Sequence, residues 1–340
     1  MIKSLNILIM GMMLWAFSAK GQDMHFSQYL SSPSNLNPAL NGLFDADYRF
    51  VLNHRNQWSS VSIPYTSYSG SADMKLRIPY FKRELFGAGI LINRDKAGDS
   101  EFGTTQLALS FSYIKRMNAD STLFVSLGMS GGFTQRSLNY EKLTFDNQYT
   151  GDFFDPSVGS GEVFTNTQFM YFDFCSGINL LYQGSGPYGF NAGFSLSHIN
   201  RPAQTFFGNE NITLSRKGLF HLSGSYRLNK SIQILPSLMY EKQNTFGEFL
   251  WGSSVKISQI SKKLDARSFY LGFHLRAADA YILSTGMDYN NLNIGLSYDV
   301  NTSGLYPASH GKGAFEVSLI YLLRKFKPQL AQKKFCPPYM

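Results

Sequence analysis

Over much of this chain every second residue is large and apolar while its neighbours are small or polar. From Gln106 to Tyr113, Leu107, Leu109, Phe111 and Tyr113 alternate with Gln106, Ala108, Ser110 and Ser112. Side chains on a strand point alternately to its two faces, so such a segment is a strand with one apolar and one small polar face. The pattern recurs at Leu123, Val125, Leu127 and Met129, at Phe190, Phe194 and Leu196, and at Leu292, Ile294, Leu296, Tyr298 and Val300. It closes with Phe315, Val317, Leu319, Tyr321 and Leu323.

A soluble sandwich also alternates. The polar face here, however, is Gly, Ser and Asn rather than Lys and Glu, which suits a crowded, wet lumen. Aromatics gather at the ends of the segments, at Tyr48, Trp58, Tyr113, Tyr182, Tyr188, Tyr240, Trp251, Tyr281, Tyr289, Tyr298 and Tyr321. Girdles of that kind mark the two interfaces of a bilayer. Charged residues are only 16% of the chain and aromatics 15%, against about 25% charged in a soluble domain. A wall turned towards lipid accounts for that deficit.

The expected fold is therefore all-β, a transmembrane antiparallel β-barrel of about 14 strands, an even number within the bacterial outer-membrane range. Strands are expected to begin near Tyr48, Thr66, Leu85, Phe102, Thr122, Tyr171, Tyr188, Leu219, Ser231, Phe246, Ser268, Ala280, Leu292 and Gly313. Long connections then run from Ser137 to Met170, Asn200 to Lys217 and Asn301 to Lys312, each after an odd strand. Short turns at Asn118–Asp120, Asn229–Lys230 and Asn290–Asn291 follow even strands. Long loops outside and short turns inside is the outer-membrane rule, given an N-terminus in the periplasm. The connection from Ser258 to Arg267 is an exception.

Residues 1–21 read as a secretory signal peptide. Lys3 precedes an apolar run from Ile7 to Phe17, and Ala19 and Gly21 are small residues before a cut ahead of Gln22. The run is shorter than the about 20 apolar residues a spanning helix needs. Residues 22–47 form an expected periplasmic plug or lid, 48–325 the barrel, and 326–340 a periplasmic tail. Within the plug, Asn37 before Pro38 starts a helical turn, because Asn caps and Pro suits the first helical position, and Gly42 ends it.

The net charge of +8 is spread thinly, with no basic cluster interleaved with aromatics, which argues against nucleic-acid binding. The two cysteines, Cys175 and Cys336, read as free thiols. Metal-site spacing and a nucleophile elbow are absent from the sequence, so no metal, cofactor or catalytic residue is assigned. Ser284 and Asp288 with His274 form the nearest catalytic constellation, and small polar lumen residues explain it more simply. The glycines from Gly128 to Gly132 read as curvature in barrel strands. Phe145, Tyr149, Phe153, Phe154 and Phe164 crowd one long loop with Asp155–Pro156, where they fold into the barrel mouth or meet a partner. Basic residues collect at expected periplasmic ends, including Lys82, Arg83, Lys115, Arg116, Lys262, Lys263 and Arg324.

Several of these stretches together resemble one family. His25-Phe26-Ser27-Gln28-Tyr29, Asn37-Pro38-Ala39 with Gly42, and Arg55-Asn56-Gln57-Trp58 are similar to the opening of PorP/SprF proteins. Leu143-Thr144-Phe145 with Asp155-Pro156 resembles their mid-chain loop. Ile294 to Asp299 with Gly313 and Glu316 resembles their last two strands, and Cys336-Pro337 their tail. The resemblance implies a non-enzymatic outer-membrane barrel of the type IX secretion and gliding machinery of Bacteroidetes. It would assist export or surface attachment of cargo carrying a C-terminal sorting domain, and one branch works with a periplasmic peptidoglycan-binding protein. The implied partner-binding residues are Gln28, Tyr29, Asn37, Pro38, Phe145, Phe153, Phe154, Asp155, Pro156, Cys336 and Pro337, with outer-membrane lipids around the wall. The alternative is a FadL-like channel for small hydrophobic molecules, which Asn37-Pro38-Ala39 also resembles. A filled lumen favours the first reading, and an open lumen with a lateral gap favours the second.

Overall fold

Alternating segments pair edge to edge in chain order until the last meets the first. The computed structural model describes residues 23–61, 63–81, 84–151, 153–162, 166–206, 211–259 and 267–324. Its strands are β1 (Tyr48–Gln57), β2 (Tyr65–Leu76), β3 (Glu84–Ala97), β4 (Phe102–Arg116), β5 (Leu123–Ser137), β6 (Gln168–Gln183) and β7 (Tyr188–Ser197). They continue as β8 (Lys217–Arg227), β9 (Ile232–Gln243), β10 (Phe246–Gln259), β11 (Arg267–Arg276), β12 (Ala280–Tyr289), β13 (Leu292–Asn301) and β14 (Lys312–Leu323). All neighbours are antiparallel, and β1 closes on β14 from Tyr48↔Leu323 to Gln57↔Ala314. Closure leaves no sheet edge around the ring, which is what a strand protein needs in lipid, where nothing else satisfies the backbone.

The pleat sorts the side chains inside out. On β4, Leu107, Leu109 and Phe111 are 49%, 56% and 60% exposed, while Ala108, Ser110 and Ser112 are 6%, 5% and 5% exposed. The charged Arg55, Asp299 and Glu316 are almost wholly buried in the interior. So broad an apolar exterior around a charged core is stable only against lipid. Aromatic pairs cluster at both rims. Trp58–Tyr65 and Phe273–Tyr281 lie at the long-loop end, and Phe86–Tyr113 and Tyr182–Tyr188 at the short-turn end. No helix among the described residues is long and apolar enough to cross a membrane.

The wall is uneven in height. β3 to β6 are tall, while β7 and β8 are short, and β6 pairs with β7 only from Ser176↔Leu196 to Gln183↔Gly189. Above that, Asn200 stands in for a strand on β6, donating to the Phe172 carbonyl (2.7 Å) and accepting from the Phe174 N–H (3.1 Å).

The expected strand starts all fall within three residues of the observed ones, and the long connections follow β5, β7 and β13. The expected signal peptide, the connection 260–266, Lys82, Arg83, Phe164 and the expected tail with Cys336 and Pro337 lie outside the described residues. Cys175 is a free thiol on β6.

Candidate functional site

Residues 23–47 occupy the lumen, and two prolines, Asn37 and Gly42 set their path. Helical turns span Tyr29–Ser31, Pro33–Leu36 and Pro38–Leu40, with proline opening the last two. Proline's missing N–H is no loss at a first helical position. Asn37 caps the final turn, its Oδ1 accepting from the Ala39 N–H (2.9 Å). Gly42 then reverses the chain in the left-handed region (φ 72°), which glycine reaches without steric cost.

The segment does not lie across one rim. Asp23 is fixed at the long-loop end, where His198, one residue beyond β7, bonds it at 2.7 Å and the Asp173 carboxylate at 2.9 Å. Lys217, the first residue of β8, is 3.6 Å from Asp23. At the opposite end the Gly42 N–H donates to Asp73 (2.8 Å), which Arg49 grips with both Nε (2.9 Å) and Nη2 (2.8 Å). The chain therefore threads the barrel from the long-loop end to the short-turn end before entering β1.

Between these ends every stretch is bonded to the wall. Asn37 donates to the Ile178 carbonyl (3.0 Å). Ser126 and Ser112 donate to the carbonyls of Ala39 (2.7 Å) and Asn41 (2.6 Å). Ser195 donates to Leu36 (2.9 Å), and Asn41 to Ser110 (2.7 Å). Asn35 reaches Ser69 (2.8 Å), and Asn93 donates back to Asn35 (2.8 Å). Tyr29, Leu36, Leu40 and Leu43 pack on Leu219, Met239, Leu250 and Ile282 to form a small apolar core inside the lumen. Gly128 admits the segment, since an added Cβ would overlap the backbone of Pro38 and Ala39. Close approach, rather than strand curvature, is what this glycine serves.

The densest part is a charged knot around Ser27 and Gln28. Arg55 pairs with Glu316 and with Asp299 (3.1 Å). Arg276 reaches Asp299 (3.1 Å), Glu248 (3.1 Å) and the Ser27 hydroxyl (2.5 Å). The backbone N–H groups of Ser27 and Gln28 donate to the two Glu316 oxygens at 2.7 and 2.9 Å. Both Arg forks and all three carboxylates thus take part, the pairing that charges out of water require, while Asp299 Oδ1 has no partner among the described residues.

Protonation follows burial and neighbours. Burial pushes the His25 imidazole down to about 4 against the help of Glu248, 4.0 Å away, and the nearby Arg55 and Arg276 cations add to the lowering. His25 is therefore neutral at pH 7. Burial also opposes charge on His198, but its bonds to Asp173 and Asp23 raise it to about 9, so it is a cation there. Burial alone would raise the Asp23 carboxyl, but Lys217 and then His198 hold it well below the usual range. Burial lifts the Tyr29 phenol to about 12.

The expected site residues separate into two groups. Gln28, Tyr29, Asn37 and Pro38 make their contacts inside the chain's own barrel, with Asn37 fully buried. Phe153 and Phe154 are exposed on the 138–167 loop, and Phe145 is half-buried there. Asp155 folds its own turn, accepting from the Ser157 N–H (2.9 Å) and hydroxyl (2.6 Å) ahead of Pro156. The hydrolase-like set does not assemble. His274 bonds Ser237 (3.3 Å), while Asp288 is engaged by Lys256 (2.8 Å), Tyr270 and Asn293 (2.6 Å). Among the described residues no group of three or more His, Cys, Asp or Glu could hold a metal.

Arg276, Glu248, His198 and Asp173 carried no pattern that singled them out in sequence. Arg55, Asp299 and Glu316 lay within the family-like stretches but far apart along the chain.

A closed membrane β-barrel threaded by its own N-terminal segment is the class these features define. The family described as type IX secretion system membrane protein PorP/SprF matches residues 18–321. The chain belongs to that family. No curated protein matches it. Among solved structures it is similar to the toluene transporter TbuX of Ralstonia pickettii, at 13% identity and a TM-score of 0.51, covering 85% of this chain and 92% of that one. It is also similar to the toluene transporter TodX of P. putida, at 11% identity and a TM-score of 0.47, covering 85% and 93%. At such identities the likeness concerns the fold. The family is one of secretion-system membrane proteins, and the fold is a closed antiparallel β-barrel.

Proposed function

We propose that this protein is a non-enzymatic accessory barrel of type IX secretion and gliding in the outer membrane, helping cargo with a C-terminal sorting domain reach or stay on the surface. The carrying observation is the lumen, which the chain's own residues 23–47 cross and bond to the wall from end to end. With that segment lying along the lumen, the loops and rims are the surfaces left to meet partners. In this reading the protein is exported through a cleaved signal peptide and uses residues 22–47 as a resident plug.

Cargo or machinery then meets the loop bearing Phe145, Phe153, Phe154, Asp155 and Pro156, because exposed aromatics anchor protein contacts. Periplasmic partners, including a peptidoglycan-binding protein, meet the opposite rim and the tail with Cys336 and Pro337. Gln28, Tyr29, Asn37 and Pro38 serve partners indirectly, by holding the plug.

The test is affinity capture of the tagged protein from detergent-solubilised outer membrane, followed by mass spectrometry. Recovery of a sorting-domain protein or type IX components supports the reading. Recovery of the barrel alone, where other outer-membrane complexes survive, overturns it and favours a channel for small hydrophobic molecules.

A further inference from the structure

Along the short-turn rim, from β6 to β11, the apolar wall runs to the very ends of the strands. The Leu228 N–H donates to the Ile232 carbonyl (3.0 Å), Ile232 pairs with Ile257, and Ile257 pairs with Phe269. Leu228, Ile257 and Phe269 are exposed. One step nearer the middle, Tyr188 stands opposite Tyr226, both exposed, and Tyr182 stacks with Tyr188 and Phe190 at 6.4 and 5.6 Å. Tyrosines on an apolar wall mark a bilayer interface, so the turns just beyond these rows sit at headgroup depth.

The turns at that depth are basic. Arg227 ends β8 and Lys230 stands in the β8–β9 turn; both are exposed, and neither is in an ion pair among the described residues. Asn229 fixes the turn, its Oδ1 accepting from the Ser231 and Ile232 N–H groups at 2.8 Å each. The Arg227 N–H donates to the Pro187 carbonyl of the neighbouring turn (2.6 Å). Both cations are thus set on ordered backbone. From residue 174 to 240 the chain has one acidic residue, Glu210, in the connection after β7. Asp173, Glu241 and Glu248 of the same strands lie towards the long-loop end. The flanking turn before β5 carries Asp120, but from β6 to β11 no described residue on this rim is acidic.

We propose that this arc seats the headgroup of an anionic glycerophospholipid, with Arg227 and Lys230 on its phosphate and Tyr188, Tyr226 and Leu228 beside its acyl chains. Cations next to a bilayer surface attract anionic lipid, and here no carboxylate of the arc competes for them. An acidic protein would also meet the charge. The row from Leu228 to Phe269 is continuous with the apolar wall, however, and a lipid covers that row and the charge at once. The proposal asks only that the wall face a bilayer and does not depend on the secretion role.

The test is native mass spectrometry of the full-length barrel released from detergent, after equilibration with phosphatidylglycerol or with phosphatidylcholine of the same acyl chains. Phosphatidylglycerol is expected to bind at least about fivefold tighter, the contribution of one cation beside an anionic headgroup. Arg227→Gln with Lys230→Gln should bring that preference below about twofold, while Lys142→Gln with Lys312→Gln, exposed at the long-loop end, leaves it in place. Heat-dependent gel migration reports whether each variant closes its barrel. If the first variant fails to close, Lys230→Gln alone, outside the strands, carries the test. Equal retention of the two lipids by the parent, an unchanged preference in the closed Arg227 and Lys230 variant, or an equal loss in the Lys142 and Lys312 variant overturns the proposal.

Discussion

The hold of His198 on the N-terminal segment should weaken as the solution becomes basic. His198 lies between Asp23 and Asp173 at 2.7 and 2.9 Å, and those bonds overcome burial to raise its imidazole from 6.5 to about 9. A histidine whose folded value is raised stabilises fully below its unfolded value. That contribution is lost as pH climbs through the folded one, so the window runs from about pH 6.5 to pH 9. The rise is worth about 3 kcal/mol, roughly a hundredfold in the local equilibrium between held and released Asp23. Lys217, 3.6 Å from the same carboxylate, is a second hold, so release at high pH is local. His198 also sits at a left-handed φ of 57°, a strain its partners offset in the charged state.

The assay is spin-label mobility at Met24→Cys, with Cys175 and Cys336 changed to Ser, followed from pH 7 to about a unit above the His198 value. Mobility should rise with a midpoint near pH 9. His198→Asn should make it high at neutral pH and insensitive to base. A flat profile in the parent, or an unchanged midpoint in His198→Asn, refutes the reasoning.

Four further outcomes are expected. Acid should also loosen the segment: His25 is held neutral with a value near 4, so stability present above 6.5 is lost as pH falls towards 4, and His25→Phe should flatten that limb of the same profile. Glu316→Gln removes a carboxylate from the Arg55 and Arg276 knot and should cost about 3 kcal/mol, read as a lower denaturant midpoint; a change below about 0.5 kcal/mol contradicts the knot's role. Gly128→Leu should displace the turn at Pro38–Ala39 and raise conductance in planar bilayers, whereas a closed barrel of unaltered conductance argues that the segment does not seal the lumen. Phe153→Ser with Phe154→Ser should cut partner recovery at least about tenfold with heat-dependent gel migration unchanged, and full recovery removes the loop from the proposed surface.

The wall of this protein was legible in its sequence because a barrel strand carries its environment in a period of two. Leu107, Leu109 and Phe111 against Ala108, Ser110 and Ser112 state which side meets lipid before any partner strand is known. Turn chemistry and loop length then ordered the strands, and Asn37, Pro38 and Gly42 announced a capped helical turn that the structure contains. These are local signals, each read within a few residues.

What the sequence could not show is where distant residues meet. Arg55 stands more than two hundred residues before Asp299 and Glu316, and only closure of β1 on β14 brings them together around Ser27. The same holds for Asp23, Asp173 and His198, which share a latch because the N-terminal segment, β6 and the end of β7 meet at one rim. The depth of the N-terminal segment was likewise invisible. Short polar side chains read alike at a barrel mouth and in its centre, so only tertiary structure distinguished a lid on one rim from a segment threaded through the lumen. Periodicity reports which way a side chain points, and contact across the barrel depends on the shear and closure of the whole sheet.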